Sequence, residues 1–159
     1  MAKQENPEEQ RHRLAATALR LLARREHSRQ ELVLKLRQRR FDEPLIDPVL
    51  DEFEQEGWLD DGRFADVYAR QRIDQGYGPL RIQAELRQRG VARDPEVLEA
   101  LSEREWCDHA IRVRERRFGL ANLEQDWDEK VRQARFFQRR GFTSSQVDIT
   151  LAARAPDDL

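Results

Sequence analysis

The sequence predicts an all-α fold of three tandem three-helix repeats. Three segments of similar sequence, at residues 36–41, 86–91 and 137–142, end in an apolar residue at spacings of 50 and then 51 residues. A recurrence of this length is typical of an array of supersecondary units. Helix start and stop signals divide each repeat into three helices, and no window alternates with the period of two that strands require. Because each repeat in such an array contacts only its neighbours, we expect an elongated molecule.

The first repeat contains three sets of helix signals. Asn6, followed by a proline and two acids, is a typical helix start. Ser28 and Glu31 match a capping box, in which each side chain satisfies a free backbone N–H. Pro48, after an aspartate, predicts the start of a third helix, and Gly57 predicts its left-handed end.

The other two repeats follow the same pattern. In the second, Asp61 is predicted to cap a helix that ends at Gly76, and prolines open the next two helices. In the third, Gly119 and Gly141 end two helices, and Thr143 caps the last one. The predicted boundaries are a flexible stretch 1–9, repeats at 10–58, 59–102 and 103–154, and a flexible stretch 155–159.

Composition argues against an enzyme. The chain has 159 residues, 38% of them charged, with three widely separated histidines and a single cysteine, Cys107. It has no Gly-rich phosphate loop and no nucleophile elbow, and the pair Asp60 and Asp61 is interpreted as a helix cap. We therefore expect no catalytic residue, no metal and no cofactor. With neither a signal peptide nor a membrane span in its sequence, the chain is expected to be a cytoplasmic monomer.

Three tryptophans lie near predicted junctions or connectors. They are Trp58, Trp106 and Trp127. Large aromatic side chains bury much area where little other core exists, so we interpret all three as packing residues. The alternative is a role in stacking on nucleic-acid bases.

Charge is segregated along the chain although the net charge is only −2. Residues 10–40 hold ten basic and two acidic groups, whereas residues 42–66 hold ten acids and one arginine. Only three of the 29 basic residues are lysine. Arginine forms planar, paired contacts with phosphate and with carboxylate, so stacked repeats could present a basic ridge. Alternatively, the basic and acidic helices of one repeat pair with each other on solvated faces.

The recurring segments place arginines at the end of the second helix of each repeat. They are Arg37, Arg39 and Arg40; Arg87 and Arg89; and Arg139 and Arg140. Cations at this end also favour the helix dipole, which is a purely structural reason for their presence. Ligand binding and this structural role both remain open.

One stretch of the second repeat resembles the central signature of the RecX family. It comprises Leu59-Asp60-Asp61-Gly62-Arg63-Phe64-Ala65, Tyr68, Arg72, Gly76, Gly78-Pro79, Arg81, Ile82, Glu85-Leu86 and Gly90. Ser28-Arg29-Gln30-Glu31-Leu32 and Arg139-Arg140-Gly141-Phe142 resemble the flanking repeats, so the resemblance spans residues 14–154. The departure is Arg40, where the other two repeats carry glycine.

The resemblance implies a curved rod of three-helix repeats that regulates the RecA recombinase without being an enzyme. Such a protein would bind the filament of RecA on single-stranded DNA and limit its growth. It would thereby reduce ATP hydrolysis, strand exchange and co-protease activity during the response to DNA damage. We expect contact with single-stranded DNA to be weak or indirect. The resemblance carries no binding residues over; on physical grounds, the binding candidates are the seven helix-end arginines together with Arg72 and Arg81.

Two alternatives to RecA regulation remain. The first is a transcription regulator built from helix-turn-helix-like units, for which Gln38 and Gln88 could read bases. The second is a helical adaptor that does not contact DNA. Salt dependence separates them, because phosphate binding weakens steeply as salt rises.

Overall fold

A computed structural model describes residues 5–158, and these residues form α-helices and no strand. Within that range the helices are α1 (Pro7–Arg24), α2 (Arg29–Gln38), α3 (Glu43–Gln55), α4 (Asp61–Asp74), α5 (Pro79–Gln88), α6 (Glu96–Ala100), α7 (Glu103–Arg117), α8 (Trp127–Arg140) and α9 (Ser144–Ala152). The predicted all-α class is confirmed, with nine helices in residues 5–158. Of the termini predicted to be flexible, residues 1–4 and 159 lie outside the described residues.

The chain divides into two compact units that do not follow the three sequence repeats. Unit 1 holds the chain up to Val67 together with Arg87–Arg93, and unit 2 holds Tyr68–Leu86 and the chain from Asp94 onward. Helices α4 and α5 therefore each contribute residues to both units. The exact repeat boundaries stay predictions.

The core of unit 1 is built by the apolar faces of α1, α2 and α3. Leu14 and Ala18 of α1, Leu32 and Leu36 of α2 and Leu50 of α3 are fully buried in one cluster. Their spacing of three or four residues within each helix places them on a single face. Burying each leucine contributes about 1.5–3 kcal/mol relative to an exposed side chain.

The predicted caps of the first two helices are confirmed. The Asn6 side chain accepts a hydrogen bond from the Glu9 backbone N–H at 2.8 Å. Ser28 and Glu31 form the predicted capping box, each side chain bonding the other residue's backbone N–H at 3.1 Å. Gly57, with a φ of 76°, takes the left-handed conformation expected at the end of α3.

The predicted start of the third helix at Pro48 is wrong. Helix α3 begins one turn earlier at Glu43, with Asp42 at the N-cap position and Pro44 in the first turn. Residues 42–44 carry the same combination of acid and proline as residues 47–48. Pro48 lies inside the helix, where its missing N–H removes one intrahelical hydrogen bond near the N-terminus.

The two carboxylates at the start of α4 serve two different helices. Asp60, and not Asp61 as predicted, caps α4, since its Oδ1 accepts from the Arg63 backbone N–H at 3.0 Å. Asp61 Oδ1 instead accepts from the backbone N–H of Arg29, the first residue of α2, at 2.7 Å. The pair is therefore structural, as the sequence indicated, but it joins α4 to α2.

The packing role predicted for the tryptophans holds for only part of the set. Trp106 is buried, and Trp58 is half-exposed with its ring edge-on to Phe53 at 5.3 Å between centroids. Trp127 is 72% exposed, so its assignment as a packing residue is wrong. It is the first residue of α8.

A similar close contact at a turn glycine occurs once in each unit. In unit 1, Gln30 Nε2 donates to the Gln88 carbonyl at 2.9 Å, and a Cβ on Gly90 would lie 2.8 Å from Gln30 Cβ. In unit 2, Arg81 Nη1 donates to the Arg139 carbonyl at 2.9 Å, and a Cβ on Gly141 would overlap the Arg81 backbone. Both glycines have positive φ, so each turn requires glycine for its conformation and for its clearance.

Arg40 occupies the equivalent position in the first repeat without this contact. Its φ is 64°, so the left-handed turn geometry is kept although glycine is absent. Among residues 5–158, no side chain outside the turn donates to the Gln38 carbonyl as Gln30 and Arg81 do at the equivalent carbonyls. The position needs only a left-handed backbone, and a side chain is tolerated.

Replacing Arg40 by glycine is expected to stabilise the protein slightly. A non-glycine residue in the left-handed region costs about 1–2 kcal/mol, and the extra entropy of an unfolded glycine offsets about 0.5–1 kcal/mol of that gain. Urea unfolding of Arg40→Gly should give a free energy of unfolding about 0.5–1 kcal/mol above that of the native chain. A clear decrease would mean that the Arg40 side chain makes a stabilising contact.

A buried histidine links the start and the end of α2. His27 is 1% exposed; its Nδ1 lies 3.0 Å from the Arg25 carbonyl and its Nε2 lies 2.8 Å from Lys35 Nζ. Because lysine only donates, Nε2 accepts and Nδ1 carries the proton. The ring is therefore neutral, and burial lowers the pKa of His27.

The lowered pKa of His27 predicts a loss of stability in mild acid. Above pH 6.5 the ring is neutral in both the folded and the unfolded chain, so this contribution is fully present. As pH falls from 6.5 toward the lower folded pKa, the unfolded chain takes up the proton first, and stability falls by up to about 1.4 kcal/mol per pH unit. Urea unfolding at several pH values should show this slope, and His27→Gln should reduce it. Burial also lowers the pKa of His109, so part of the slope is expected to remain.

Candidate interaction surfaces formed by arginines

One position of the repeat, just before the turn glycine, has three different environments. Arg39 is exposed, and no carboxylate of the described residues pairs with it. Arg89 Nε lies 4.0 Å from Glu31 within unit 1. Arg140 Nη1 donates to the Gln75 carbonyl at 2.8 Å within unit 2, and burial lowers its pKa. Arginines at the same position of the repeat therefore differ in whether their guanidinium groups are accessible to a partner molecule.

Four other helix-end arginines lie at the surface. Arg37 pairs with Glu43 but keeps 51% of its side chain exposed. Arg40 and Arg139 are exposed. The backbone carbonyl of Arg139 accepts a hydrogen bond from Arg81, which leaves the Arg139 side chain out of this contact. Arg87 is exposed and donates to the Val91 carbonyl at 3.3 Å. These guanidinium groups can reach a partner without unfolding their own helix.

Three of the predicted binding arginines converge on one aromatic ring in unit 2. The Cζ atoms of Arg72, Arg81 and Arg140 lie 3.6, 4.7 and 4.5 Å from the centroid of the Tyr77 ring. An arginine over an aromatic face contributes about 0.5–1 kcal/mol when exposed and more when desolvated. The cluster thus joins the α4–α5 connector to the end of α8.

Arg72 is the most enclosed of the three and has a carboxylate partner. Its Nε and Nη2 donate to the two carboxylate oxygens of Glu85 at 2.9 and 2.8 Å, and both side chains are less than one-fifth exposed. Burial raises the pKa of Glu85, but the hydrogen bonds and positive charge of Arg72, together with hydrogen bonds from Tyr68 and Arg81, outweigh it, and the net pKa is lowered. The pair is ionised at neutral pH, and the Arg72 guanidinium is committed to contacts within the protein.

The glycines of the α4–α5 connector serve backbone packing. Gly76 has a φ of 89°, and a Cβ on Gly78 would lie 2.7 Å from the Gly141 carbonyl carbon. Gly78 N–H donates to the Arg140 carbonyl at 2.7 Å. This connector is a contact between backbones and does not have its N–H groups free to cradle a phosphate.

A buried arginine, Arg114, holds the third repeat together and was not singled out by the sequence pattern. It is fully buried and donates to the Gln133 side chain at 2.9 Å and to three backbone carbonyls, those of Ala121, Thr150 and Ala153, at 2.8–3.2 Å. Burial lowers its pKa, and none of its partners between residues 5 and 158 is a carboxylate. Because most of its acceptors are backbone groups from separate segments, no residue type at a fixed spacing marks it in the sequence.

Residues 5–158 contain neither a cluster of metal ligands nor a membrane-spanning helix. No group of three or more His, Cys, Asp or Glu side chains lies where it could hold a metal ion. No helix in this part of the chain has both the length and the apolar character needed to cross a membrane. Cys107, the single cysteine, is buried, and burial raises the pKa of its thiol.

Family models and curated relatives agree on what the chain resembles. Models of the first, second and third three-helix domains of RecX match residues 16–53, 60–94 and 103–151. A regulatory protein RecX from Halorhodospira halophila is 54% identical over 143 residues, which cover 89% of this chain and 88% of the relative. The chain belongs to the RecX family. A RecX protein from Pseudomonas putida is 42% identical over 144 residues, covering 89% of this chain and 91% of that protein.

Solved RecX structures share the fold. A crystal structure of RecX from Lactobacillus salivarius superimposes with a TM-score of 0.73 at 19% identity, covering 89% of this chain and 94% of that one. A second crystal structure, of a regulatory protein RecX, gives a TM-score of 0.68 at 20% identity and covers 94% of this chain and 81% of that one. The prediction of three tandem helical domains of this family is confirmed.

Proposed function

We propose that this RecX-family chain binds the filament that RecA forms on single-stranded DNA and limits its growth. Slower growth would reduce RecA-dependent ATP hydrolysis, strand exchange and co-protease activity. The chain would act by binding, without a catalytic step of its own, and in the cytoplasm, where RecA works. Relatives that are 54% and 42% identical to it carry the name of regulatory proteins, which supports a regulatory role.

The observation that carries this proposal is the repetition of exposed arginines at the end of the second helix of each repeat. We propose that Arg37, Arg87 and Arg139, together with Arg39, Arg40 and Arg89, contact the filament. All but Arg89 are exposed. Several modest contacts on one chain act together, because the first one raises the effective concentration of the others. A filament repeats its own surface from subunit to subunit, so it can offer several matching contacts to a repeat protein.

Arg72, Arg81 and Arg140 support this proposal indirectly. Their guanidinium groups surround Tyr77 and bond Glu85 or backbone carbonyls. We propose that they position the connector and the end of α8, and that direct filament contact falls to the exposed arginines.

The proposal is tested by adding the chain, in less than equimolar amounts, to RecA that is hydrolysing ATP on single-stranded DNA. We expect the rate of hydrolysis to fall over time. Each added molecule should abolish the hydrolysis of more than one RecA subunit, because a bound chain stops further filament growth. Cys107 and the histidines are not needed for this effect. An unchanged rate at equimolar chain, with RecA and DNA verified to be active, would contradict the proposal.

A further inference from the structure

A surface groove in unit 1 is lined by four arginines and by no acidic residue. Its volume is about 410 Å³, and it lies between α1 and the turn after α2. The lining residues are Arg13, Thr17, Arg20, Leu21, Arg24, Arg39 and Phe41. Four other grooves of this chain each contain at least one Asp or Glu. This groove, here called the basic groove, therefore differs from them in its charge.

Three of the four arginines have no counter-charge within the described residues. Arg13 pairs with Glu5 through two hydrogen bonds of 2.8 Å. Arg20, Arg24 and Arg39 have no carboxylate at ion-pair distance between residues 5 and 158. Elsewhere in unit 1, arginines such as Arg29 pair with carboxylates of neighbouring elements. Three guanidinium groups of unit 1 without a counter-charge thus line one groove.

The positions of these residues follow from the geometry of α1. Arg13, Thr17, Arg20 and Arg24 are spaced by four, three and four residues and therefore lie on one stripe of the helix. The stripe is about 16 Å long at 1.5 Å per residue. Phosphates of one B-form DNA strand recur about every 3.4 Å along the axis, so the stripe can face several of them.

The turn after α2 leaves the other side of the groove open. In unit 1 the Gly90 turn is contacted by Gln30, and in unit 2 the Gly141 turn is contacted by Arg81. The equivalent turn at Arg40 has no such contact among the described residues, and Arg39 beside it extends into the groove. The lack of a neighbouring segment at this turn allows a side chain at position 40, and it also leaves the Arg39 side chain accessible to a ligand.

The polar lining of the groove consists almost entirely of hydrogen-bond donors. Guanidinium groups donate and do not accept. The one hydroxyl, Thr17 Oγ1, already donates to the Arg13 carbonyl at 2.8 Å and accepts from Arg20 Nη2 at 3.2 Å. A ligand must therefore supply acceptors and negative charge at several points. A phosphodiester strand does so, whereas an acidic polypeptide would also bring backbone N–H donors that find no acceptor here.

We infer that the basic groove binds the phosphodiester backbone of a nucleic-acid strand through Arg20, Arg24 and Arg39. The site does not depend on RecA. It shares Arg39 with the filament contacts proposed above, whereas Arg20 and Arg24 belong to the groove alone. Arg13, stacked with its Cζ 4.5 Å from the centroid of the Phe41 ring and paired with Glu5, forms a wall of the groove. The strand can be single or part of a duplex, and the experiment distinguishes the two.

The test is fluorescence anisotropy of labelled oligothymidylate and of a labelled duplex, without RecA, over a range of salt concentrations. One variant carries Arg20→Gln, Arg24→Gln and Arg39→Gln. The matched control carries Arg11→Gln, Arg112→Gln and Arg132→Gln, which removes the same charge from three exposed arginines that are ion-paired. Far-UV circular dichroism and urea unfolding establish that both variants fold.

We expect the groove variant to bind oligothymidylate at least tenfold more weakly at low salt, with the control within about twofold of the native chain. Each lost phosphate contact should reduce the slope of log K against log salt by about 0.7, so the groove variant should lose about two. A higher affinity for either probe identifies the strand form. If both variants bound the nucleic acid equally weakly, the loss would be due to overall charge and not to the groove, and the inference would be overturned. No binding by the native chain at low salt, or unchanged binding by the groove variant, would also overturn it. None of these results bears on RecA ATP hydrolysis, which is measured separately.

Discussion

Replacing Gly141 by alanine is expected to destabilise the protein by about 2–5 kcal/mol. Gly141 has a φ of 92°, where a side chain costs about 1–2 kcal/mol. A Cβ at this position would overlap the Arg81 backbone, with Arg81 Cα only 2.8 Å away. Because that neighbour is backbone at the start of α5, it cannot rotate aside, and overpacking of this kind costs about a further 1–3 kcal/mol.

Gly119→Ala is the matched control for Gly141→Ala. Gly119 has a φ of 82°, and nothing lies within 4 Å of the place where its Cβ would be. It should lose only the conformational cost of about 1–2 kcal/mol. The difference between the two variants in the free energy of unfolding, measured in urea, gives the cost of the close approach of residue 141 to the Arg81 backbone. Equal losses would mean that α5 and the α8–α9 turn do not pack as closely as described.

Replacing Arg114 by methionine is expected to cost at least about 3 kcal/mol. Methionine fills much of the same volume but donates no hydrogen bond. The Ala121 carbonyl and the Gln133 side-chain oxygen would lose their donor, whereas the Thr150 and Ala153 carbonyls would keep the Ala153 N–H and Arg154. A buried polar group without a partner costs about 1–3 kcal/mol, and the four hydrogen bonds from a charged group are lost together. Arg114→Lys should recover only part of the loss, because an ammonium group cannot reproduce the planar arrangement of donors.

Arg112→Met is the control for Arg114→Met. Arg112 lies two residues away on the same helix, is 63% exposed and pairs with Asp108 four residues earlier. An exposed pair of this type contributes about 0.3–0.5 kcal/mol. A loss in Arg114→Met no larger than in Arg112→Met, measured by urea unfolding, would show that the buried network does not stabilise the third repeat.

The sequence predicted the helices of this chain well where the signals are local. Capping at Asn6 and Ser28 and left-handed ends at Gly57 and Gly141 each depend on residues within one turn. The error at Pro48 arose because residues 42–44 carry the same signal one turn earlier, and a proline six residues into a helix resembles one that starts it.

The environment of the arginines could not be predicted, because it depends on contacts between distant segments. Arg39, Arg89 and Arg140 occupy one position of the repeat, yet each has a different environment. Arg39 is exposed, Arg89 lies 4.0 Å from a carboxylate, and Arg140 donates to a distant backbone carbonyl. The glycine pattern contained part of this information. Glycine at 90 and 141 but arginine at 40 indicates that the first turn has no close neighbour, and this could have marked Arg39 as open.

The contacts of Arg114 and the exposure of Trp127 left no signal in the sequence. The acceptors of Arg114 are mostly backbone carbonyls, which every residue carries. Trp127 lies at the first position of α8, where an amphipathic pattern does not yet determine which side faces inward. Both depend on how the third repeat packs, which the local pattern does not specify.

The most direct test of filament binding through the repeat arginines is RecA ATP hydrolysis on single-stranded DNA with two matched variants. One carries Arg37→Gln, Arg87→Gln and Arg139→Gln, and the other carries Arg11→Gln, Arg112→Gln and Arg132→Gln. Both lose three positive charges, and the basic groove stays intact in each. We expect the first variant to need at least about tenfold more protein for half-maximal inhibition, while the second inhibits as the native chain does. Equal inhibition by both variants, each shown to be folded, would contradict binding through these arginines.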